Sequence, residues 1–278
     1  MQFSKTIVLL AFHITVFPTC PTLVFSVDQD VAERLLTEAQ HEASVIGNDY
    51  WRKTTLQAIA VAEANANNTQ NAFKIVSEIT ERDDKNLTLM EIVEAQAKSN
   101  RINAAFQSAS KIDDEAARSA AMESIALAQL ALGDTPGALQ TADLIPAEES
   151  RSGVLMHIAI SKAQSGNVPP SIEMARQIPS HFRRDLALQG ITLIQMKRED
   201  ISEALSTAHL IESKLTRAKV YREIAAMQTR TRRRDDTLGW INQLESPLER
   251  SSALLGAASG LLDAQLMPHE VPCPRHID

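Results

Sequence analysis

Ile79, Ile112, Ile145, Ile178, Ile211 and Leu244 stand 33 residues apart, with no insertion between any two of them. Twenty residues before each lies another isoleucine: Ile59, Ile92, Ile125, Ile158, Ile191 and Ile224. Three before each the side chain is small or aliphatic, at Val76, Ala109, Ala142, Ala175, Ala208 and Ile241. Seven before are Ala72, Ala105, Ala138, Ser171, Ala204 and Thr237. One period running through so many columns marks a repeat architecture, in which each block is a supersecondary unit that cannot bury its apolar side alone.

Each block predicts two helices. In the second, Ile102, Ala105, Phe106, Ala109 and Ile112 fall at offsets 0, 3, 4, 7 and 10, one stripe of an amphipathic helix. In the first, Met122, Ile125, Ala126 and Gln129 follow the same 3, 4, 7 rhythm. Between them lie Asn67-Asn68, Asn100-Arg101, Gly133-Asp134 and Gly166-Asn167. Gly and Asn accept the left-handed backbone that ends a helix. Pro136 and Pro169 suit the first turn of the next helix, where a missing N–H costs little.

The frame runs past six full units. Ile46, with Ala39 and Ala43, continues it backwards as a lone second helix; Arg250, Ala253, Leu254 and Ala257 continue it forwards as a lone first helix. The expected fold is all-α, a right-handed solenoid of stacked antiparallel helix pairs with about fourteen helices. The expected boundaries are an export signal over 1–26, an N-terminal capping helix over 27–46, and repeats at 47–79, 80–112, 113–145, 146–178, 179–211 and 212–244. A C-terminal capping helix over 245–266 and a tail over 267–278 complete the chain. Hydrophobic residues are 44% of the chain but aromatics only 4%, which suits many thin Ala-lined contacts better than one thick core.

The units resemble the tetratricopeptide repeat. The likeness rests on Ile125-Ala126, Gly133-Asp134 and Ala138, and on Ile158-Ala159, Gly166-Asn167 and Ser171, and covers about residues 29–266. This chain departs from the family in three columns. The Trp column holds Leu56, Leu89, Met122, Leu155, Leu188 and Tyr221; the Tyr column holds Glu63, Gln96, Gln129, Lys162, Gln195 and Gln228; the Phe column is mostly Ala. The period is also one residue shorter. The resemblance implies protein–protein binding on a concave side lined by first helices. The family's groove positions map onto Gln57, Met90, Glu123, Met156, Gln189 and Arg222, and, eight residues on, Asn65, Lys98, Ala131, Gln164, Lys197 and Arg230. Mixed polar side chains with interspersed Met suit an adaptable peptide surface; a merely solvated face is the alternative.

A second column is basic in every unit: Arg52, Lys85, Arg118, Arg151, Arg184, Arg217 and Arg250. Equal recurrence at both ends favours a structural role over a ladder for an anionic partner. Each basic stem would cover the end of its unit's stripe and pair with acids a turn earlier, such as Asp114 before Arg118. Charge is otherwise uneven. Residues 214–234 carry Lys214, Arg217, Lys219, Arg222, Arg230, Arg232, Arg233 and Arg234 against Glu223 alone. Arg232, Arg233 and Arg234 form a basic end patch that could touch an acidic protein or, weakly, anionic lipid, although a solvated turn beside Asp235-Asp236 is the favoured account. The net charge of −7 argues against a nucleic-acid partner.

Lys5 followed by the apolar run Ile7 to Phe17 reads as an export signal, with cleavage expected after Ser26. The run is short for a membrane span, and Pro18 and Pro21 interrupt it. Phe17-Pro18-Thr19-Cys20 fits a lipidation box poorly. Loss of Cys20 with the signal would leave Cys273 alone and rule out an intrachain disulfide. A bacterial periplasmic location is expected, with secretion or anchoring through the N-terminal segment as alternatives. Nothing points to a cofactor or a metal. His41, His157, His181 and His209 lie in different units without a companion nucleophile motif, and His269, Glu270, Cys273 and His276 sit in a tail interrupted by prolines. Asn67 and Asn86 open glycosylation sequons, which matter only in a eukaryotic host. The expected function is an exported, non-catalytic scaffold or adaptor that binds another protein or peptide. The alternative is an envelope enzyme or enzyme subunit built on the same solenoid.

Overall fold

A computed structural model describes residues 22–231 and 234–266, and these form fourteen α-helices with no strand among them. The expected export signal falls largely outside the described residues, as do Arg232, Arg233 and the tail with Cys273. Contacts divide the chain into two compact units, Met1–Ile75 and Val76–Asp278.

The first unit holds α1 (Thr22–Ser44) and α2 (Asp49–Asn65), which pack on each other, and the start of α3 (Thr69–Glu78), which spans the boundary. Helix α1 is longer than the expected cap of residues 27–46, because no Gly or Pro interrupts residues 22–44. Ala43 is fully buried in it, as its place in the repeat frame requires. Asn48 caps α2 by accepting the Trp51 amide at 3.0 Å.

The second unit is an all-α solenoid, a stack of helix pairs. Its first helices are α4 (Arg82–Lys98), α6 (Glu115–Ala131), α8 (Glu148–Gln164), α10 (His181–Lys197), α12 (Lys214–Arg230) and the closing α14 (Pro247–Leu266). Its second helices are α5 (Ile102–Ala109), α7 (Thr135–Asp143), α9 (Val168–Arg176), α11 (Ile201–His209) and α13 (Arg234–Ile241). Helices of each class start 33 residues apart, in step with the isoleucine frame. Each first helix packs on its own second helix and on the first helix of the following pair. The anchors Ile112, Ile145, Ile178 and Ile211 are 0–1% exposed, and so are Ile92, Ile125, Ile158, Ile191 and Ile224.

Turn chemistry repeats as strictly as the core. Asn67, Asn100, Gly133, Gly166 and Glu199 occupy one column, and all have positive φ, from 58° to 94°. The following residue then donates back to the carbonyl five positions earlier: Arg101 to Gln96 at 2.8 Å, Asp134 to Gln129 at 2.8 Å, Asp200 to Gln195 at 3.0 Å. That six-to-one bond is a Schellman cap, and it needs one left-handed residue. Glu199 is the misfit, since its Cβ is strained at a φ of 63°.

Three polar columns stitch the stack. Gln96, Gln129 and Gln228, one column of the first helices, bridge the two helices of their pairs: Ser108 Oγ donates to Gln96 Oε1 at 2.7 Å, Thr141 Oγ1 to Gln129 Oε1 at 2.6 Å, and Trp240 Nε1 to Gln228 Oε1 at 2.7 Å. In the first unit Asn71 donates to Glu63 in the same way, at 2.7 Å. A second column joins successive pairs: buried Asn86, Ser119, Ser152 and Asp185 accept amides of the next loop from Asp113, Ala147, Ser180 and Glu212. The third is the arginine column, which reaches back to the anchor carbonyls. At the closing end, α14 lies hard against α12 because Gly256 and Gly260 carry no side chain; a Cβ on Gly256 would overlap the Arg222 carbonyl. Gly239, in α13, has open space around it.

Two substitutions test this packing. Glu199→Gly should raise stability by about 1 kcal/mol in urea unfolding, since it relieves left-handed strain. Gly256→Ala should cost about 1–3 kcal/mol through overpacking, while Gly239→Ala should gain about 0.5–1 kcal/mol from helix propensity. Equal effects at the two glycines would contradict the close contact between α12 and α14.

Candidate partner-binding surface

The two groove columns lie on the first helices, and the structure separates them by burial. The earlier column is largely packed. Met156 is 7% exposed and belongs to the core cluster of the second unit, so its thioether fills the stack instead of facing a ligand. Met90, Glu123 and Gln189 are half-buried, and Arg222 is exposed. Glu123 lies over the backbone of the neighbouring first helix, where only Gly153 leaves room for its carboxylate. Gln57, in the first unit, is half-buried as well.

The later column behaves differently. Lys98, Ala131, Gln164, Lys197 and Arg230 are all exposed in the second unit, each in the last turn of its first helix. Asn65 has the same position in the first unit and is exposed too. Cations at a helix C-terminus complement the helix dipole, which gives Lys98, Lys197 and Arg230 a local reason to be there. Two of these cations are engaged in the fold: Lys98 Nζ pairs with Glu94 at 2.5 Å, and Arg230 with Asp263 at 2.5 Å. Lys197 forms no ion pair among the described residues. The Gln164 carbonyl accepts from Arg198 at 3.0 Å, a bond that crosses to the next helix pair.

The recurrent basic column has a structural task that its spacing alone does not disclose. Arg118 Nη1 donates to the Ile112 carbonyl at 2.9 Å, and Arg151 Nη1 to the Ile145 carbonyl at 3.3 Å. Arg184 reaches Ile178 through Nε at 3.0 Å and Nη2 at 2.9 Å; Arg217 reaches Ile211 at 2.5 Å, and Arg250 reaches Leu244 through Nε at 2.9 Å. Each guanidinium closes the carbonyl of the anchor six residues back, where the preceding second helix runs out of intrahelical donors. Asp114, expected to pair with Arg118, instead caps α6 by accepting the Ala117 amide at 2.8 Å. Arg52 pairs with Asp49 at 2.5 Å, as the acid-a-turn-earlier reading expects. Lys85 makes no such bond among the described residues, because an ammonium lacks the guanidinium's reach and fork.

Ion pairs between successive loops add to this brace. Arg183 Nε donates to Glu149 at 2.6 Å. Glu212 lies 2.6 Å from His181 Nδ1 and 2.7 Å from Arg184 Nη1. The hydrogen bond from Arg183 holds the Glu149 carboxyl below its usual range, with Ser180 helping. The His181 hydrogen bond, followed by the charges of His181 and Arg184, does the same for Glu212. Of the basic end patch, Arg234 opens α13 and is exposed, while Arg232 and Arg233 lie outside the described residues. His157 and His209 are exposed and sit on different helices. Among the described residues no three His, Cys, Asp or Glu side chains converge on a metal position, and no helix is long and apolar enough to cross a membrane.

No family model and no curated protein matches the chain. Among solved structures, the crystal structure of Ton1535 from Thermococcus onnurineus NA1 is similar over 86% of this chain and 88% of that one, at 14% identity and a TM-score of 0.30. A likeness that loose carries no inference about function.

The arginine brace is testable against the anionic-ladder reading. Arg184→Met keeps the apolar stem but loses both bonds to the Ile178 carbonyl, and should cost about 1.5–3 kcal/mol in urea unfolding. Arg118→Met, losing one bond, should cost less. Stability unchanged in both variants would return the column to a binding role.

Proposed function

We propose that the chain is an exported, non-catalytic helical-repeat protein that binds another protein or peptide and serves as a scaffold or adaptor in the cell envelope. The observation that supports this best is the contrast between columns. The anchor and bracing positions are filled nearly alike in unit after unit, whereas the exposed last-turn column of the first helices runs Lys, Ala, Gln, Lys, Arg. Lys98, Ala131, Gln164, Lys197 and Arg230 vary in charge, length and polarity while sharing one place in successive pairs. A periodic scaffold that holds its backbone constant and varies one exposed column is how solenoids build extended binding surfaces.

The resemblance to the tetratricopeptide repeat favours the same reading, since that family binds partners along its first helices. With Met156 withdrawn into the core, the proposed surface consists of the last-turn column of the second unit with Arg222. Export is inferred from Lys5 and the Ile7–Phe17 run, and it places the partner in the envelope or beyond. The basic residues of 214–234 would add attraction for an acidic partner or, more weakly, an anionic lipid surface.

Affinity recovery from an envelope fraction tests the reading. The wild-type chain should recover a stoichiometric partner. A Lys98→Glu, Lys197→Glu, Arg222→Glu variant, with an unchanged thermal midpoint, should recover about tenfold less, as expected for lost charge complementarity at a rim. Equal recovery by both chains would remove this column from the interface. Capture of anionic vesicles without any protein would replace the proposal with a membrane one.

A further inference from the structure

The end of α11, the first half of α12, the loop before α14 and the start of α14 border a cavity of about 540 Å3. His209, Lys214, Arg217, Tyr221, Glu245 and Glu249 are among its lining residues. It lies apart from the last-turn column, and its chemistry is independent of whether that column binds a partner. Its volume falls in the range of small-molecule sites.

The preceding pair of helices serves as an internal reference. Thirty-three residues before Lys214, Arg217 and Glu245 stand His181, Arg184 and Glu212. There the carboxylate of Glu212 sits between the two basic groups, 2.6 Å from His181 and 2.7 Å from Arg184. One unit later the same columns are arranged otherwise. Arg217 turns to Glu249, pairing through Nη2 at 2.7 Å, with Glu249 itself buried. Glu245 and Lys214 form no ion pair among the described residues. The molecule thus displays a carboxylate seated on these columns in one unit and an unengaged ammonium in the next.

Tyr221 supplies the second observation. It replaces Leu188 of the unit before, packs its ring 5.6 Å from that of Trp240, and is 3% exposed. Yet its hydroxyl, on the lining of the cavity, makes no hydrogen bond among the described residues. The hydroxyl itself is not sealed from solvent, so its proton is available to whatever enters the cavity. Burial pushes the phenol above its usual value, an effect that Arg217 opposes and Glu249 adds to, so it remains a protonated donor at neutral pH. An ammonium has donors only, and the phenol has its proton to give; together they call for a charged acceptor.

We propose that this cavity binds a small organic carboxylate, whose oxygens accept from Lys214 Nζ and the Tyr221 hydroxyl. Arg217, already held by Glu249 and the Ile211 carbonyl, shapes the wall. Glu245 stands at the site as an internal competitor for the same cation, which gives the proposal a test with opposite signs.

Titration calorimetry and amide NMR on the full chain, with glutarate as the probe and glutaramide as its uncharged counterpart, decide the matter. Glutarate should bind saturably, and glutaramide about tenfold more weakly or not at all. Tyr221→Phe, which keeps the ring on Trp240, and Lys214→Gln should each weaken glutarate by about fivefold or more. Glu245→Gln should tighten it. A short peptide with a free C-terminal carboxylate, run beside its amide, tells whether a chain end is the better source of the same group; tighter binding of the acid form, lost in Tyr221→Phe, supports the site equally. Equal binding of acid and amide, binding indifferent to Tyr221→Phe and Lys214→Gln in chains with unchanged spectra, or no saturable binding at millimolar glutarate overturns the proposal.

Discussion

A second helix of eight or nine residues, as in α5, α7, α9, α11 and α13, is too short to persist alone in water, because the nucleation cost exceeds what so few hydrogen bonds return. It exists because its small-residue stripe is pressed between two longer first helices. Ala105, Ala138, Ala175 and Ala208 are fully or almost fully buried and let the backbones approach, and the anchor isoleucine closes the end. The arginine from the next helix then satisfies the anchor's carbonyl. Each second helix is therefore stabilised partly by the pair that follows it, which is the physical content of a one-dimensional stack.

That coupling explains why the invariant columns are so strict and the variable ones so free. A substitution at an anchor or a bracing arginine damages two pairs together, because these contacts join one pair to the next. Lys98, Gln164 and Lys197 touch little beyond their own turn or the adjacent helix, so they can change without disturbing the stack. The same logic singles out Tyr221. It breaks its column's aliphatic habit inside the core, where departures cost stability, and its polar end emerges beside Lys214 and Arg217.

Sequence is a good guide to this chain where the cause is local and a poor one where it is not. The left-handed turn residues are legible at Asn67, Asn100, Gly133 and Gly166, because Asn and Gly announce that conformation. Glu199 occupies the same column and announces nothing, since tertiary packing overrides its preference. The basic column is legible as structural, but the acid partner expected for Arg118 is not the one it takes. An acid four residues away is conspicuous in a sequence, whereas a main-chain carbonyl six residues back has no signature. Met156 has the chemistry of a groove residue, because Met suits adaptable surfaces; its burial depends on how closely neighbouring first helices approach, which no single helix reveals.

By itself, the amino-acid order determined the period, the helix pairs, the turns between them and the all-α class. All of these follow from apolar spacing and turn propensity within one or two units. Only the tertiary structure decided which polar columns point inward, as Gln96, Gln129 and Asp185 do, and which stay in water. It also set Glu245, from the loop before α14, and Glu249, from α14, beside the α12 stripe of Lys214, Arg217 and Tyr221 at one cavity. The reason is physical: periodicity specifies which stripe of a helix seeks cover, but the depth of burial at the stripe's margins depends on the spacing and rotation of the neighbour that supplies it.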